Sequence, residues 1–302
     1  MSFARPVIPK RAYLVTRRCT QRQFLLRPDD ETNNAFVYCL GYAAKRTGVE
    51  IVAFVANSNH YHAVVIDVEG RIPHFLESFH KLLAKHQNAL RGRWENMWSS
   101  EQTSLVELVD DQDILDKTVY TLCNPVKDHS VERMHEWPGA LSDTATLEGK
   151  TLTAQRPTRF FRKEGKMPEQ IELSCVRPPG LRDIPVEEYR SRLTDAINKV
   201  EADARCERLA TGRRVAGRQN ILDREPTDRP RSHEPRRELN PRVAAKDVWT
   251  RVEALVRQKA FRGAYATSRE SWLRDKRALF PPGTWWLQKF AGAVCEPDPA
   301  TS

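Results

Sequence analysis

The sequence contains no long apolar run, although hydrophobic residues make up 40% of its 302 residues. No stretch approaches the roughly eighteen apolar residues of a membrane-spanning helix, and residues 1–6 lack the apolar core of a signal peptide. The six cysteines are scattered, with no Cys-x-x-Cys pair. These absences argue against a membrane protein, a disulfide scaffold and a structural zinc site, and they favour reduced thiols in a cytoplasmic protein.

Positive charge is what the sequence has in excess. Lys and Arg number 49 against 40 Asp and Glu, which gives a net charge of +9. Residues 205–242 concentrate this excess, with eleven Arg against six acidic residues, a pattern typical of a segment that contacts phosphates. We therefore expect nucleic acid as the partner rather than a membrane, and association with the nucleoid of a bacterial-type cell.

Two histidines two residues apart form the most informative short motif. His60 and His62 flank Tyr61 in an otherwise apolar run that predicts a buried strand. Side chains on a strand alternate between faces, so the two imidazoles share a face and Tyr61 points the other way. Two neutral imidazoles on one face can bind one metal ion together, whereas the alternative is a pair of buried histidines bonded to carbonyl groups.

A short helix with a tyrosine follows about sixty residues downstream. The acidic cluster at 110–113 suits a helix N-terminus, and Pro125 ends the helix near Asn124. Tyr120 and Asn124 are four residues apart and therefore share one helix face. A phenol is a candidate covalent nucleophile, and an amide oxygen one turn later can complete the coordination of a metal held by the histidines.

The order of these segments resembles that of a known family. A basic strand at 13–18 is followed by a helix, an apolar strand, the histidine pair, a second helix, and then Tyr120 shortly before Asn124 and Pro125. This order resembles the single-tyrosine HUH transposases, and within them most resembles the REP-associated tyrosine transposases. The resemblance covers roughly residues 8–145.

The resemblance implies an activity and the residues that perform it. In this family two histidines bind Mg²⁺ or Mn²⁺, and a helical tyrosine cuts single-stranded DNA to leave a 5′-phosphotyrosine and a free 3′-OH, as required for DNA transposition and recombination. The matching positions are His60 and His62 for the metal, Asn124 as a third ligand and Tyr120 as the nucleophile. Tyr61 stands where the family usually has an aliphatic residue, and it adds a second phenol as a rival nucleophile.

The resemblance also implies single-stranded or hairpin DNA as the partner. Relatives of the insertion-sequence type work as homodimers, whereas REP-associated ones can act alone, and both assemblies stay open at this point. Basic and polar residues near the first strand and on the second helix are the candidate DNA contacts, namely Arg17, Arg18, Gln21, Arg22, Lys81 and Lys85. The alternative for the strand residues is solvation of a sheet edge.

The order strand, helix, strand, strand, helix, strand predicts an α+β fold, a ferredoxin-like antiparallel sheet with helices on one face. A central strand then presents both histidines, with the tyrosine helix laid across them. We predict a nuclease-like domain over residues 1–145, a polar linker or arm over 146–184, and a mainly helical basic extension over 185–302. In this extension we expect a helix from Pro241 whose core face includes Trp249, and a last strand or docking segment over 280–286.

Three other functions fit parts of the pattern. A domesticated DNA-binding protein would keep the fold but no longer cut. Cupin metalloenzymes also carry His-x-His on a strand, but the Gly that they need six residues earlier is Phe54 here, and helices flank the pair. An RNA-binding ferredoxin-like domain would need an aromatic Arg/Lys-Gly-Phe pattern that the strands lack.

Overall fold

The structure, a computed structural model, describes residues 4–231 and 241–297. The elements up to residue 147 are four strands and five helices; they are β1 Arg11–Arg18, α1 Asp30–Thr47, β2 Val49–Ala56, β3 His60–Asp67, α2 Ile72–Leu90, β4 Ser104–Leu108, α3 Asp111–Leu122, α4 Asn124–Lys127 and α5 Thr144–Leu147. The later elements are short strands and helices, with most of their residues in α6 and α8; they are β5 Leu152–Gln155, β6 Gln170–Leu173, α6 Val186–Thr211, α7 Arg218–Leu222, β7 Val243–Ala244, α8 Val248–Asp275, β8 Leu279–Phe280, α9 Trp286–Ala291 and β9 Val294–Cys295.

The main sheet has five strands in the order β2-β3-β1-β4-β7. The pairs among the first four strands are antiparallel, and only β7 joins parallel, through Glu107 and Leu108 of β4. The predicted α+β class is therefore confirmed, with an antiparallel core sheet and a mainly helical C-terminal part. In this order β3 is an inner strand, flanked by β2 on one side and β1 on the other, as we expected for the strand with the histidines.

The two faces of the sheet pack against different helices. On one face Tyr61 contacts Phe36 of α1 and Phe79 of α2, with ring centroids 5.8 and 5.2 Å apart. On the opposite face Leu14 belongs to a second apolar cluster that includes Ile114 of α3. Because strand side chains alternate between faces, the tyrosine helix α3 lies on the face that His60 and His62 share, with α1 and α2 behind the sheet.

Helices α1 and α3 begin where side-chain caps hold their first N–H groups. Asp29 accepts a hydrogen bond from Thr32 N, and Asp110 accepts one from Asp113 N, each at 2.7 Å. Helix α1 ends at Gly48, whose φ of 70° is the left-handed conformation that glycine adopts without steric cost. These local signals fix where α3 starts and therefore which of its residues face the sheet.

Residues beyond 145 contribute directly to the main core. The β5–β6 hairpin lies in the range predicted as a linker, and it packs on α1 so closely that a Cβ on Gly41 would stand 2.5 Å from Ile171 Cγ2. Helix α6 adds Tyr189 and Leu193, which are fully buried in the same cluster. The division of the chain at residue 145 stays a prediction, and this packing provides its test.

We expect a fragment of residues 1–145 to be far less stable than a fragment of residues 1–231. Losing a buried apolar side chain costs about 1.5–3 kcal/mol, so removing Ile171, Tyr189 and Leu193 together approaches the roughly 5–15 kcal/mol that stabilises a whole domain. Thermal unfolding followed by near-ultraviolet circular dichroism measures the difference. Equal melting temperatures for the two fragments would show that residues 1–145 form an independent domain.

Helix α8 differs from the sequence prediction in two ways. Helix α8 begins at Val248, capped by Asp247, which accepts a hydrogen bond from Thr250 N at 2.7 Å, and not at Pro241. Its predicted core face is exposed, with Trp249 at 76% of its full accessible surface. Residues 280–286, predicted as a last strand or docking segment, form the end of β8, a turn and the first residue of α9. The turn contacts the segment before β1, where Val7 N donates to Gly283 O at 3.0 Å. No helix among residues 4–231 and 241–297 is long and apolar enough to cross a membrane.

Candidate active site

His60 and His62 lie side by side at the start of β3. Their ring centroids are 4.9 Å apart and the rings are nearly perpendicular, at 85°. His62 is buried, and His60 is partly exposed. Burial, and to a smaller extent the charge of His60, lowers the pKa of His62 well below its ordinary value. His62 is therefore neutral at pH 7 and keeps a ring nitrogen lone pair for a ligand.

Each imidazole is held by a neighbour at its Nδ1 atom. His62 Nδ1 is 2.7 Å from Thr16 Oγ1 on β1, and His60 Nδ1 is 2.7 Å from Asn59 Oδ1. The Asn59 oxygen is an acceptor only, so His60 Nδ1 carries the hydrogen and Nε2 carries the lone pair. A donor bond from a ring N–H to an oxygen is the usual way in which a metal-binding histidine is oriented.

Asn124 brings an amide oxygen to His60. Its Oδ1 atom is 3.2 Å from His60 Nε2, and both atoms lie within hydrogen-bond distance of the Asn57 amide, at 2.7 and 3.1 Å from Asn57 Nδ2. Asn124 is buried, and it begins the short helix α4, with Pro125 in its first turn, because α3 ends at Leu122 and does not continue through Asn124 as the sequence predicted. Asn57 donates to both acceptors and so fixes their separation.

The phenol of Tyr120 lies next to this group. Its ring meets the His62 ring edge to face, with centroids 5.3 Å apart at 76°. Two ammonium groups are near the same ring, since Lys117 Nζ and Lys127 Nζ lie 5.5 and 5.2 Å from its centroid. Positive charge at this distance favours negative charge on a phenol oxygen or on a bound phosphate. The helix thus places Tyr120 beside the histidines, half-buried at the surface of the cleft.

Tyr61, the rival phenol, points the other way. It is fully buried between α1 and α2, and its Oη is 2.5 Å from His80 Nε2. His80 Nδ1 in turn accepts a hydrogen bond from Arg17 Nη1 at 2.8 Å. Burial raises the pKa of Tyr61 above its ordinary value and lowers that of His80. Because Tyr61 points away from the histidine face, its hydroxyl bonds to His80 inside the core. Tyr120 is therefore the phenol beside the histidine pair.

The histidines and Tyr120 line a cleft of about 2080 Å³. Among the described residues, ten Lys or Arg side chains line it against three Asp or Glu, so its electrostatic potential favours anions. Of the predicted DNA contacts, Arg17, Arg18 and Arg22 line the cleft. Gln21 is exposed in the turn after β1 and is not among the lining residues.

Lys81 and Lys85, the other predicted DNA contacts, lie away from the cleft. Both are exposed on α2, which packs on the opposite side of the sheet. Lys85 Nζ lies 5.1 Å from the ring centroid of Phe160, so it covers an aromatic side chain there. The basic edge that the two lysines form is therefore separate from the histidine cleft.

Comparisons with known proteins find similarity to solved transposase structures. One is a REP-associated tyrosine transposase bound to a REP hairpin, with 18% identity over 49% of this chain and 85% of that chain and a TM-score of 0.38. Another is a putative transposase from Deinococcus radiodurans R1, with 19% identity over 35% of this chain and 85% of that chain and a TM-score of 0.28. No protein-family model and no curated protein matches the sequence. The class to which the motif order pointed is thus among the structures that this chain is similar to.

The other wall of the cleft is a segment that sequence reasoning located only by composition. Residues 213–231, which we name the arginine strap, follow α6 in the chain and extend to the loop after β1. Ala216 N donates to His129 O at one end and Phe24 N donates to Asp228 O at the other, each at 2.9 Å. Four of its arginines line the cleft, namely Arg213, Arg224, Arg229 and Arg231. Of the predicted basic segment 205–242, residues 232–240 lie outside the described residues.

Proposed function

We propose that this protein cuts and rejoins single-stranded DNA through a 5′-phosphotyrosine at Tyr120, with the help of a divalent metal held by His60, His62 and Asn124. The observation that carries the proposal is the convergence of these four side chains from β3, α3 and α4 in one basic cleft. Such an enzyme belongs with the transposases and single-strand endonucleases that the motif order resembles. The charge of the cleft supports a nucleic-acid substrate.

The donor atoms fit Mg²⁺ or Mn²⁺. Within residues 4–231 and 241–297 no three His, Cys, Asp or Glu side chains form a metal-binding group. We propose the amide oxygen of Asn124 as the third donor beside the two imidazoles. Two acceptors, His60 Nε2 and Asn124 Oδ1, face each other at 3.2 Å. Ligands about 2.1 Å from an octahedral ion stand about 3 Å apart, which agrees with this spacing. A bound ion would supply a Lewis acid that neutralises charge on a phosphate oxygen.

The protein's own residues supply the nucleophile and its surroundings. The Tyr120 oxygen forms a bond to phosphorus, the bond from phosphorus to the 3′-oxygen breaks, the phenol proton leaves to solvent, and the departing 3′-oxygen takes up a proton. Lys117 and Lys127 are placed to stabilise negative charge on the phenol oxygen and the phosphate. A phenolate is a better leaving group than an alkoxide, so the free 3′-OH can reverse the step and reseal the strand without a nucleotide cofactor.

The shape of the cleft favours a single strand. The arginine strap is anchored at both ends and lines the cleft opposite the end of β1, so we propose that a DNA backbone passes between the two. We propose hairpin-flanked single strands as substrates, since the resemblance implies them and since unpaired bases beside a hairpin can bend into such a cleft. Arg18 and Arg22 are proposed to contact the hairpin at the rim, whereas the guanidinium of Arg17, also predicted as a DNA contact, is bonded to His80 and Thr103.

Incubation with Mn²⁺ and a pool of labelled hairpin-bearing single strands tests this function. The proposal predicts a covalent protein–DNA adduct on a denaturing gel, and no adduct with fully duplex DNA of the same sequence. Metal and DNA binding without any adduct across the pool would instead identify a DNA-binding protein that no longer cuts. Duplex nicking at the same rate would contradict the preference for single strands.

We expect Thr16→Val to weaken Mn²⁺ binding without unfolding the protein. The change removes the Oγ1 atom that holds His62 Nδ1, and loss of such an orienting bond typically costs 10- to 100-fold in metal affinity, roughly. Titration calorimetry with Mn²⁺ measures the change. Thr118→Val is the matched control, because Thr118 is a buried threonine of α3 whose hydroxyl has no hydrogen-bond partner among the described residues. Wild-type Mn²⁺ affinity in Thr16→Val would show that Thr16 does not orient His62 for metal binding.

A further inference from the structure

A second asparagine faces the first histidine across the loop between β2 and β3. Asn57 N donates to His60 O at 2.9 Å across this two-residue loop. The strand register pairs Val55 with His62, so Asn57 and His60 oppose each other two positions further along. Residues directly opposite each other on neighbouring strands share a face. Asn57 therefore lies on the histidine face, where it is buried and lines the cleft.

Three polar atoms from separate parts of the chain form a triangle at this point. Asn57 Nδ2 is 2.7 Å from Asn124 Oδ1 and 3.1 Å from His60 Nε2, and the last two atoms are 3.2 Å apart. Three neighbouring ligands of an octahedral ion form a triangle with sides of about 3 Å, because each stands about 2.1 Å from the ion. The carboxamide of Asn57 thus has its terminal nitrogen at the third corner of a triangle whose other corners are two proposed metal ligands.

An amide nitrogen at this corner is incompatible with a cation held by the other two. Asn57 Nδ2 directs its N–H bonds at the lone pairs of His60 Nε2 and Asn124 Oδ1. A cation bound by the same two lone pairs would face the positive ends of these N–H bonds, and like charges repel. Donation by Asn57 and binding of an ion therefore exclude each other, so the side chain of Asn57 has to change its orientation when an ion binds.

Rotation of the Asn57 carboxamide by half a turn about its Cβ–Cγ bond puts Oδ1 in the place of Nδ2. The rotation breaks only the two hydrogen bonds of Nδ2, because Oδ1 accepts none from the part of the chain that the structure describes. Three acceptors that face one another are unfavourable by themselves, whereas three acceptors around a cation coordinate it. The two orientations thus differ in their affinity for a cation, which is the condition for an ion to select one of them.

We propose that Asn57 is a metal ligand, whose Oδ1 atom binds the same Mg²⁺ or Mn²⁺ as His60, His62 and Asn124. This role rests on the metal site proposed above and adds a second amide oxygen to it. Two imidazoles and two amide oxygens leave two of the six positions of an octahedral ion for a phosphate oxygen and water. The second hard oxygen donor also favours Mg²⁺ and Mn²⁺ over softer ions.

Calorimetry with Mn²⁺ on the full-length protein tests the direction of the effect. We expect Asn57→Ala to weaken Mn²⁺ binding by roughly 10-fold or more. Asn57→Asp should strengthen it, because a carboxylate supplies an oxygen at the same corner together with a negative charge. Mn²⁺ affinity equal to or above that of wild type in Asn57→Ala would overturn the proposal, since it would show that Asn57 only competes for the two lone pairs. Asn34→Ala is the matched control, because Asn34 donates from its amide to Gln155 O on α1, behind the sheet.

Asn57→Cys distinguishes a ligand from a residue that only positions the other ligands. A thiolate at this corner would bind Cd²⁺, which prefers sulfur, and a bond between sulfur and cadmium gives a charge-transfer absorption in the ultraviolet. We expect this band in Asn57→Cys and not in wild type, whose six cysteines provide the background. Weaker Mn²⁺ binding by Asn57→Ala without a band in Asn57→Cys would overturn the proposal, because it would show that Asn57 acts only through its neighbours.

Adduct formation is measured in parallel, so that this proposal and the proposed cleavage can fail separately. The expected affinities and the cadmium band, without any adduct from wild type, would contradict only the cleavage. An adduct from wild type, with wild-type Mn²⁺ affinity in Asn57→Ala, would refute only the role of Asn57. A wild-type protein that binds no Mn²⁺ would refute both.

Discussion

Tyr120→Phe is expected to abolish covalent adduct formation, by roughly 10⁴-fold or more, while the protein still binds metal and hairpin DNA. The substitution removes one oxygen atom and keeps the ring that packs on His62, so stability should change by about 1 kcal/mol or less. Adduct yield on a denaturing gel, together with DNA affinity by fluorescence anisotropy, measures both effects. The variant loses the nucleophile but keeps the cleft, so it should form no adduct and still bind DNA with the affinity of wild type.

Tyr61→Phe is the control for this experiment. Its hydroxyl lies on the other side of the sheet, bonded to His80, so the variant should keep its adduct even though the core loses a hydrogen bond. Adduct formation by Tyr120→Phe together with its loss in Tyr61→Phe would show that the nucleophile had been assigned to the wrong tyrosine.

His60→Ala and His62→Ala are each expected to lose metal affinity and cleavage together. Each removes one imidazole from a site whose remaining protein donors are one imidazole and one amide oxygen, so Mn²⁺ affinity should fall by at least roughly 100-fold. Calorimetry with Mn²⁺ and the adduct assay measure the two losses.

His135→Ala is the matched control for the histidines, because His135 is exposed and lies outside the cleft. Its metal affinity should equal that of wild type. Full cleavage by wild type in excess EDTA, or wild-type Mn²⁺ affinity in both histidine variants, would contradict the metal assignment.

The histidine pair and the tyrosine could be located from sequence because their geometry is local. Strand alternation alone puts His60 and His62 on one face and Tyr61 on the other, and the structure has this arrangement. The four-residue spacing from Tyr120 predicts that Asn124 follows one turn later on the same face. Whether Tyr120 and Asn124 lie beside the histidines depends on the strand order of the sheet, which the order of strands and helices along the chain indicated.

The residues that hold these side chains were not predictable in the same way. Thr16 reaches His62 only because β1 pairs with β3 in a register that places the two residues opposite each other. Asn57 contacts Asn124 across 67 positions of sequence, and nothing in either local pattern indicates the pair. Such contacts depend on tertiary packing, so periodicity and spacing carry no signal for them.

The C-terminal part shows where helical periodicity misleads. The stripe with Trp249 on α8 has the spacing of a buried face, yet it is exposed, whereas Ala254 and Phe261 of the same helix are buried. Periodicity identifies a helix and one apolar side, but which side packs depends on the partner that the fold brings to it. The basic composition of 205–242, in contrast, pointed to a segment whose arginines line the cleft. An excess of charge is visible in the composition alone and does not depend on which side of a helix or strand each residue occupies.

Peptide mapping of the protein–DNA adduct tests the central claim most directly. After cleavage of a hairpin-bearing single strand in Mn²⁺, the adduct is digested with nuclease and trypsin, and the peptide that retains a nucleotide 5′-phosphate is sequenced by mass spectrometry. The proposed mechanism predicts the modification on residues 118–127, whose one tyrosine is Tyr120. A modified peptide 47–71, whose one tyrosine is Tyr61, or a nicked strand with no modified tyrosine at all, would contradict it.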